Sequence, residues 1–209
     1  MEDKQGSESI YSEIKRKMIH ILSSVIPLSY YFIDRNVLLI ILFVLLIFMV
    51  MTDILRHKNR KVNELYNSFL GDILRSHENM RDKVYFTGGT YLILGFLICV
   101  FLFEKNIAIT SMMIIVFSDT AAAITGKFFG KHFIGKKTAE GSLAFFVTGI
   151  IIFVLVNGLS FNAVFLSGII TLLLTTVFEL YPFNIDDNLI IPVFFGIMFT
   201  IISDTDFLI

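Results

Sequence analysis

Apolar residues come in long runs along this chain, and the polar breaks between them hold most of the charge. Seven runs can be marked, about 18–33, 37–52, 87–103, 107–125, 143–157, 163–181 and 189–203. A helix needs roughly 20 apolar residues to cross a bilayer, so several are short and need tilt, a kink or burial among neighbours. The pattern predicts an all-α, polytopic integral membrane protein of about seven transmembrane helices. One polar stretch, 53–86, reads differently. Val62, Leu65, Tyr66, Phe69, Leu70, Ile73 and Leu74 recur in it at three-and-four spacing, which predicts an amphipathic helix with a basic approach. It is expected to lie along the cytoplasmic interface or to cover a site. Residues 1–9 are polar and expected to be mobile, leaving 10–209 as one membrane-embedded domain.

Composition supports the membrane reading. Hydrophobic residues make up 56% of the chain and charged ones 17%, against roughly 25% charged in a soluble domain. The mean hydropathy is +0.79. The net charge of −1 says little, because the charges are segregated along the chain; no nucleic-acid partner is expected. Cys99 stands alone, which excludes a disulfide framework or cysteine metal site within the chain. Lys15-Arg16-Lys17 precedes the first run as in a signal peptide. However, His20, Ser23, Ser24 and Pro27 interrupt that run and no small-x-small cleavage site follows, so it reads as a retained span.

Where the charges fall matters more than their sum. With seven spans, the polar breaks alternate between two faces. Of the 17 basic residues, only Arg35 and Lys105 fall on one face, and the other 15 share the opposite one. The positive-inside rule then places the N-terminus in the cytoplasm and the C-terminus on the far side.

The chemistry concentrates in one stretch of the basic face. Ser118-Asp119-Thr120-Ala121-Ala122-Ala123 ends an apolar run. Gly126-Lys127, Gly130-Lys131 and Lys136-Lys137-Thr138-Ala139-Glu140-Gly141-Ser142 follow. An acid inside a spanning segment is costly and is a functional candidate by default. Asp119 is suited to hold Mg²⁺, which usually takes one or two carboxylates together with phosphates. The Gly-Lys pairs read either as phosphate-binding turns or as small-residue packing beside ordinary positive-inside lysines. Thr138, Gly141 and Ser142 precede a helix whose N-terminus would favour an anion, or Ser142 simply caps it. Gly130 to Lys137 is no P-loop, because Lys137 separates the Gly-Lys from Thr138 and no strand precedes it.

Other polar residues fall on the same face. Glu179 ends the sixth run, and Asp186-Asp187-Asn188 opens the seventh in a loop without lysine or arginine. These carboxylates read as a base, a second metal position or a solvated helix cap. Arg16, Lys17 and His20 open the first run, with Glu13 and Lys17 spaced for a helix ion pair. His20 is either a packed interfacial histidine or a catalytic one. Asp53 with Arg56, and Arg75 with Glu78, read as surface ion pairs or as site residues.

Taken in order, these motifs resemble the dolichol kinase, phytol kinase and CTP-dependent diacylglycerol kinase family. The resemblance rests on Glu13-x-x-Arg16-Lys17-x-x-His20, Arg75-x-x-Glu78, Gly88-Gly89-Thr90-Tyr91-x-x-Leu94-Gly95, the central stretch, and Glu179 with Asp186-Asp187-Asn188-Leu189-x-x-Pro192. It implies phosphoryl transfer to a lipid alcohol, usually from CTP, with a divalent cation and a multi-pass fold. Phosphatidate cytidylyltransferases share the central motif in outline. They carry a later His-Gly-Gly-x-x-Asp-Arg-x-Asp signature, for which this chain has its Asp-Asp-Asn loop instead.

The sequence therefore points to CTP-dependent phosphorylation of a polyprenol, phytol-like alcohol or diacylglycerol, entering sideways from the bilayer. Gly126, Lys127, Gly130, Lys131, Lys136, Lys137, Thr138, Gly141 and Ser142 are the nucleotide candidates. Asp119 and Glu140 are the metal candidates, and Asp119, Asp186 and Asp187 the catalytic ones. His20, Arg75, Glu78, Glu179 and Asn188 complete the set. A cytidylyltransferase making CDP-diacylglycerol and a small ion-coupled transporter using Asp119 and Glu179 are the other readings.

Overall fold

An apolar run in hydrocarbon must satisfy its own peptide groups, and helices do so locally. The computed structural model describes residues 10–71, 85–159, 162–182 and 185–205; the expected mobile stretch 1–9 lies outside them. The elements are α1 (Ile10–Leu22), α2 (Val25–Ser29), α3 (Arg35–Lys58), α4 (Arg60–Leu70), α5 (Gly88–Leu102) and α6 (Lys105–Phe129). Then come β1 (Phe133–Ile134), β2 (Lys137–Thr138), α7 (Ala139–Asn157), α8 (Ala163–Glu179) and α9 (Asp187–Thr205).

Four helices, α3, α6, α7 and α9, are long and apolar enough to cross a membrane. α5 and α8 are apolar but shorter, at 15 and 17 residues. The first predicted span is not one helix. α1 stops at Leu22, the Ser23 hydroxyl donates back to the His20 carbonyl, and α2 is only 5 residues long. Serine hydroxyls compete with the helix ladder in this way. The second run continues six residues past its predicted end at 52, to Lys58. Within the described residues the amphipathic segment is α4; Ile73 and Leu74 lie outside them.

Large apolar side chains point outward all along these helices: Ile40, Phe43 and Phe48 on α3, Leu143 and Leu155 on α7, Leu166 and Val177 on α8. Such a surface is that of a membrane protein, because a soluble one rarely exposes so much contiguous apolar area. Inside, Phe96, Cys99, Ile109, Met112, Ile115, Phe145, Leu172 and Phe195 are fully buried.

The antiparallel hairpin α6–α7 is the centre of the fold, flanked by α1, α5, α8 and α9. Small residues let its two helices touch. A Cβ added to Gly141 would lie 2.9 Å from the Ala122 carbonyl oxygen, and one added to Gly126 would lie 2.8 Å from Thr138 Oγ1. The link between the helices is a short antiparallel ribbon, Phe133 opposite Thr138 and Ile134 opposite Lys137. Gly135, at φ +64°, occupies the first turn position, as a two-residue Gly-x hairpin requires. The α9 helix crosses α5 just as closely, since a Cβ on Gly95 would meet the Asn188 carbonyl oxygen at 2.7 Å.

Both basic residues on the sparse face have structural partners. Arg35 Nε donates to the Val100 carbonyl at 2.9 Å, closing the C-terminus of α5, and its Nη2 donates to that of Phe101. Lys105 donates to the Tyr31 carbonyl at 3.2 Å and lies over the Tyr30 ring.

Candidate active site

The site lies at the opposite end of the bundle, where α6 ends and α5, α7 and α9 begin. Asp119 sits just past the midpoint of α6. Small neighbours (Ala122, Ala123, Gly126) clear the space beside it, so α1 can approach and deliver Lys17. The Lys17 ammonium pairs with Asp119 Oδ2 and donates to the Asp119 carbonyl at 3.3 Å. His20, one turn on, brings Nδ1 to 3.7 Å from the same oxygen, and its Nε2 is buried without a hydrogen-bond partner among the described residues. The expected Glu13–Lys17 pair does not form, because Glu13 pairs with Arg16 instead. Asp119 lies 102 residues from Lys17 in sequence, yet it outcompetes the local acid.

A second charge cluster joins β2, the end of α8 and the start of α9. Lys137, on β2, reaches Glu179 Oε1 at 2.6 Å and Asp187 Oδ2 at 3.0 Å. Burial works against its charge, but Asp187 and Glu179 outweigh that and raise its pKa above the ordinary lysine value. The other oxygen of Glu179, Oε2, is buried without a hydrogen-bond partner among the described residues.

Two cavities meet at these acids. The first, about 410 Å³, is lined by Arg16, Lys17 and His20 together with Ile19, Met49, Tyr66, Leu92 and Ile93. Lys127, Lys136, Lys137, Gly126, Thr138, Gly141 and Ser142 line the second, of about 360 Å³, beside Phe133 and Glu179. Glu13, Asp119, Ala123 and Asp187 belong to both.

The sequence candidates sort themselves by this geometry. Asp119, Asp187, Glu179, Lys127, Lys136, Lys137, Gly126, Thr138, Gly141 and Ser142 converge on the second cavity, while His20 and Asn188 face the first. Asp186 separates from Asp187, because its Oδ1 accepts from the Asn188 backbone N–H at 3.0 Å and so caps α9. Asn188 in turn donates to the Gly88 carbonyl at 3.0 Å, tying α9 to α5. Lys131 is exposed and lines neither cavity. Gly130 lines neither as well, and a Cβ there would press on Thr138 Cγ2 at 2.6 Å, so its close approach is to packing. Glu140 also turns away, its Oε1 2.7 Å from His132 Nδ1. The cap of α7 is Thr138, whose Oγ1 accepts from the Gly141 N–H at 3.2 Å; Ser142 merely donates back to the Thr138 carbonyl. Arg75 and Glu78 lie outside the described residues.

Asp53 and Arg56 are no surface pair. They are 2% and 5% exposed and 3.2 Å apart. Asp53 Oδ2 accepts from Thr87 N at 2.9 Å and Thr90 Oγ1 at 2.6 Å, which fixes the Thr87-Gly88-Gly89 entry to α5 beside the first cavity. Arg56 donates to the Tyr85 carbonyl at 3.3 Å and lies over the Tyr66 ring. Sequence reasoning also undervalued Lys17, which it paired with Glu13 and left out of the site candidates. A lysine on the buried face of a short helix that opens an apolar run was the available signal.

Comparison with known proteins gives this geometry a context. The uncharacterized protein RP860 of Rickettsia prowazekii is 33% identical over 198 residues, which cover 93% of this chain and 97% of that protein. The chain belongs to the family of that Rickettsia protein. The chain is also distantly similar to fungal enzymes. CTP-dependent diacylglycerol kinase 1 of Eremothecium gossypii is 29% identical over 145 residues, and that of Saccharomyces cerevisiae 30% over 146. Each match covers 66% of this chain but only 44% and 48% of the kinases, so the chain spans less than half their length. No family model and no solved structure matches the chain.

Proposed function

We propose that this protein phosphorylates a membrane lipid alcohol from CTP, in the manner its distant relatives' names describe, with its site at the cytoplasmic membrane surface. The observation that carries the reading is the position of Asp119. It stands where a lysine- and glycine-lined cavity meets a larger, more apolar one, so a charged donor and a lipid acceptor can reach one carboxylate from two sides.

The second cavity suits the triphosphate. Lys127, Lys136 and Lys137 supply charge, and the first turn of α7 offers backbone N–H groups and the positive end of its dipole. Phe133 of the ribbon, 72% exposed, gives a nucleobase an aromatic face at the rim. Lys17 and His20 hold the Asp119 carboxylate in place from the acceptor side. Such catalysis consists mainly of positioning and charge stabilisation.

The donor set fits magnesium. Asp119 and Asp187 face both cavities, and Glu179 keeps a buried oxygen without a partner. Among the described residues no three acids or histidines form a ready cage, which fits an ion that completes its shell with nucleotide phosphates. Asp119 and Asp187 would hold it, and when bound it would neutralise phosphate charge. The basic asymmetry of 15 residues against 2 supports multi-pass insertion with the N-terminus inside.

The test uses purified protein, Mg²⁺, a panel of lipid alcohols and phosphatidate, and CTP labelled separately at the α and γ phosphates. Label from the γ position in an alcohol's phosphate is the expected result. Label from the α position in CDP-diacylglycerol would replace the kinase with a cytidylyltransferase. No transfer from either would remove both and return the acids to an ion path.

A further inference from the structure

We infer that the first cavity is the acceptor subsite, built for the uncharged hydroxyl end of a membrane lipid and set against a phosphorylated one. The inference rests on the phosphoryl-transfer reading of the site and goes further, to the class of lipid accepted and the residues that select it.

The argument begins with the cavity's walls. Ile19 on α1 and Met49 on α3 line it from two sides, with Leu92 and Ile93 of α5 behind. Ile19 is 46% exposed, so the cavity borders the outer apolar surface there. α1 packs on α6 whereas α3 packs on α5, which leaves the cavity between two separately anchored helices. Met49 Cε closes over Gly89, where an added Cβ would approach it to 2.9 Å. Its volume of about 410 Å³ matches the lower range of small-molecule sites, about 300–1,000 Å³. A lipid's head and first chain carbons fit there, with the rest of the tails left in the bilayer.

Charge selects the head. Both cations on this wall already have carboxylate partners, Arg16 with Glu13 and Lys17 with Asp119. The remaining acid, Asp187, is paired with Lys137 of the other cavity. A phosphomonoester entering here would bring negative charge against Glu13, Asp119 and Asp187, with no unmatched lysine or arginine lining the cavity among the described residues. Taking such a charge out of water without a partner is strongly unfavourable. A hydroxyl carries no such penalty and finds acceptors at the inner end. The transfer then balances simply. The acceptor oxygen bonds to the γ-phosphorus, the bond to the β,γ-bridging oxygen breaks, the hydroxyl proton passes to solvent, and the nucleoside diphosphate leaves from the second cavity.

The experiment needs no turnover. The 209-residue chain in nanodiscs, without nucleotide, is irradiated with two diazirine lipids that differ only in the head, a diacylglycerol and the matching phosphatidate. Adducts are mapped by mass spectrometry. The diacylglycerol probe is expected to label Ile19, Met49 or the Leu92–Ile93 peptide. Labelling should fall about tenfold, equivalent to about 1.4 kcal/mol, in both Met49→Trp and the rim variant Ile19→Trp. The phosphatidate probe should label these positions much less. Equal labelling by phosphatidate would overturn the charge argument, and labelling confined to the lipid-facing groove of Leu39, Phe43 and Phe101 would overturn the subsite. If the alcohol binds here but no phosphate is ever transferred from CTP, the kinase reading falls and the subsite stands. If phosphate is transferred while the label lands elsewhere, the subsite alone falls.

Discussion

Replacing Lys17 with methionine keeps the volume of the side chain and removes its charge. Asp119 then keeps a carboxylate in a largely enclosed place, with side-chain exposures of 10% for the lysine and 17% for the acid. Breaking a buried pair by removing one partner costs about 3–5 kcal/mol. The residual exposure and His20 at 3.7 Å place Lys17→Met at the low end, about 3 kcal/mol. For a chain of this size, about 2–4 °C of Tm accompanies each kcal/mol, so a drop of about 6–12 °C is expected. Cys99 makes the assay simple. It is the single cysteine and is fully buried, so a thiol-reactive fluorophore reports unfolding in detergent. The double variant Lys17→Met/Asp119→Asn removes both charges and should recover most of the loss, because a neutral pair leaves no stranded ion. Equal stability of Lys17→Met and wild type, or additive losses in the double variant, would refute the claim that these residues form one buried ion pair.

Asp119→Asn should abolish transfer from CTP while the protein still inserts and keeps a cooperative melt; near wild-type activity across a Mg²⁺ titration would reject its role. Lys137→Ala should raise the KM for CTP about tenfold or more, since a hydrogen bond to a charged group contributes about 1.5–3 kcal/mol. Lys131→Ala, outside the cavity, should change it less than about twofold, and equal effects of the two in steady-state kinetics would contradict the cavity assignment. Gly95→Ala should destabilise by about 1–3 kcal/mol through overpacking, as its new methyl meets α9 backbone; an unchanged melting curve would show that this crossing has slack. Stability that Lys137 owes to its raised pKa should be constant through neutral pH and lost only above the unfolded lysine value of about 10.4. Comparing wild-type and Lys137→Met melting at pH 7 and pH 9 checks it, and a difference that shrinks between those values would refute it.

How far the sequence disclosed this arrangement depends on whether a feature is local. Helix positions were legible because apolar runs are contiguous, and the α6–α7 hairpin was legible because Asp119, Gly126 and Thr138 lie within one short stretch. Ends and breaks were harder to read. Ser23-Ser24 split a run that hydropathy alone joins, and α3 carried on through Asp53 and Arg56, because a buried cap at Thr87 and Thr90 absorbs the acid's charge. The glycine motif had two readings, and the close contacts of Gly126, Gly130 and Gly141 show why. The same absence of side chains that clears a cavity wall also lets two helices touch. Pairings were the least legible part. Lys17 with Asp119 and Lys137 with Glu179 and Asp187 join residues far apart in the chain, and spacing rules see only neighbours such as Glu13.

These pairings also bear on how the site accommodates a highly charged donor. α5, α7 and α9 all start at this end of the bundle, so three helix N-termini direct positive potential towards one region. That potential favours carboxylates there, and Asp53, Asp187 and Glu140 all lie within a turn of, or cap, such an N-terminus. Arg56 meets Asp53, His132 meets Glu140 and Lys137 meets Asp187, leaving a region dense in separated charge. A nucleotide with its cation has the same composition, anionic oxygens around a positive centre. It can enter by exchanging partners, with carboxylates turning to the cation and lysines to the phosphates, so that no charge is left unmatched at any stage. A neutral, apolar cleft would instead have to desolvate the triphosphate outright. If the proposed function holds, the ion pairs of Lys137 with Glu179 and Asp187 are the resting form of the nucleotide site. Variants that delete one partner should therefore impair folding and nucleotide use together, whereas charge-neutral double variants should separate the two.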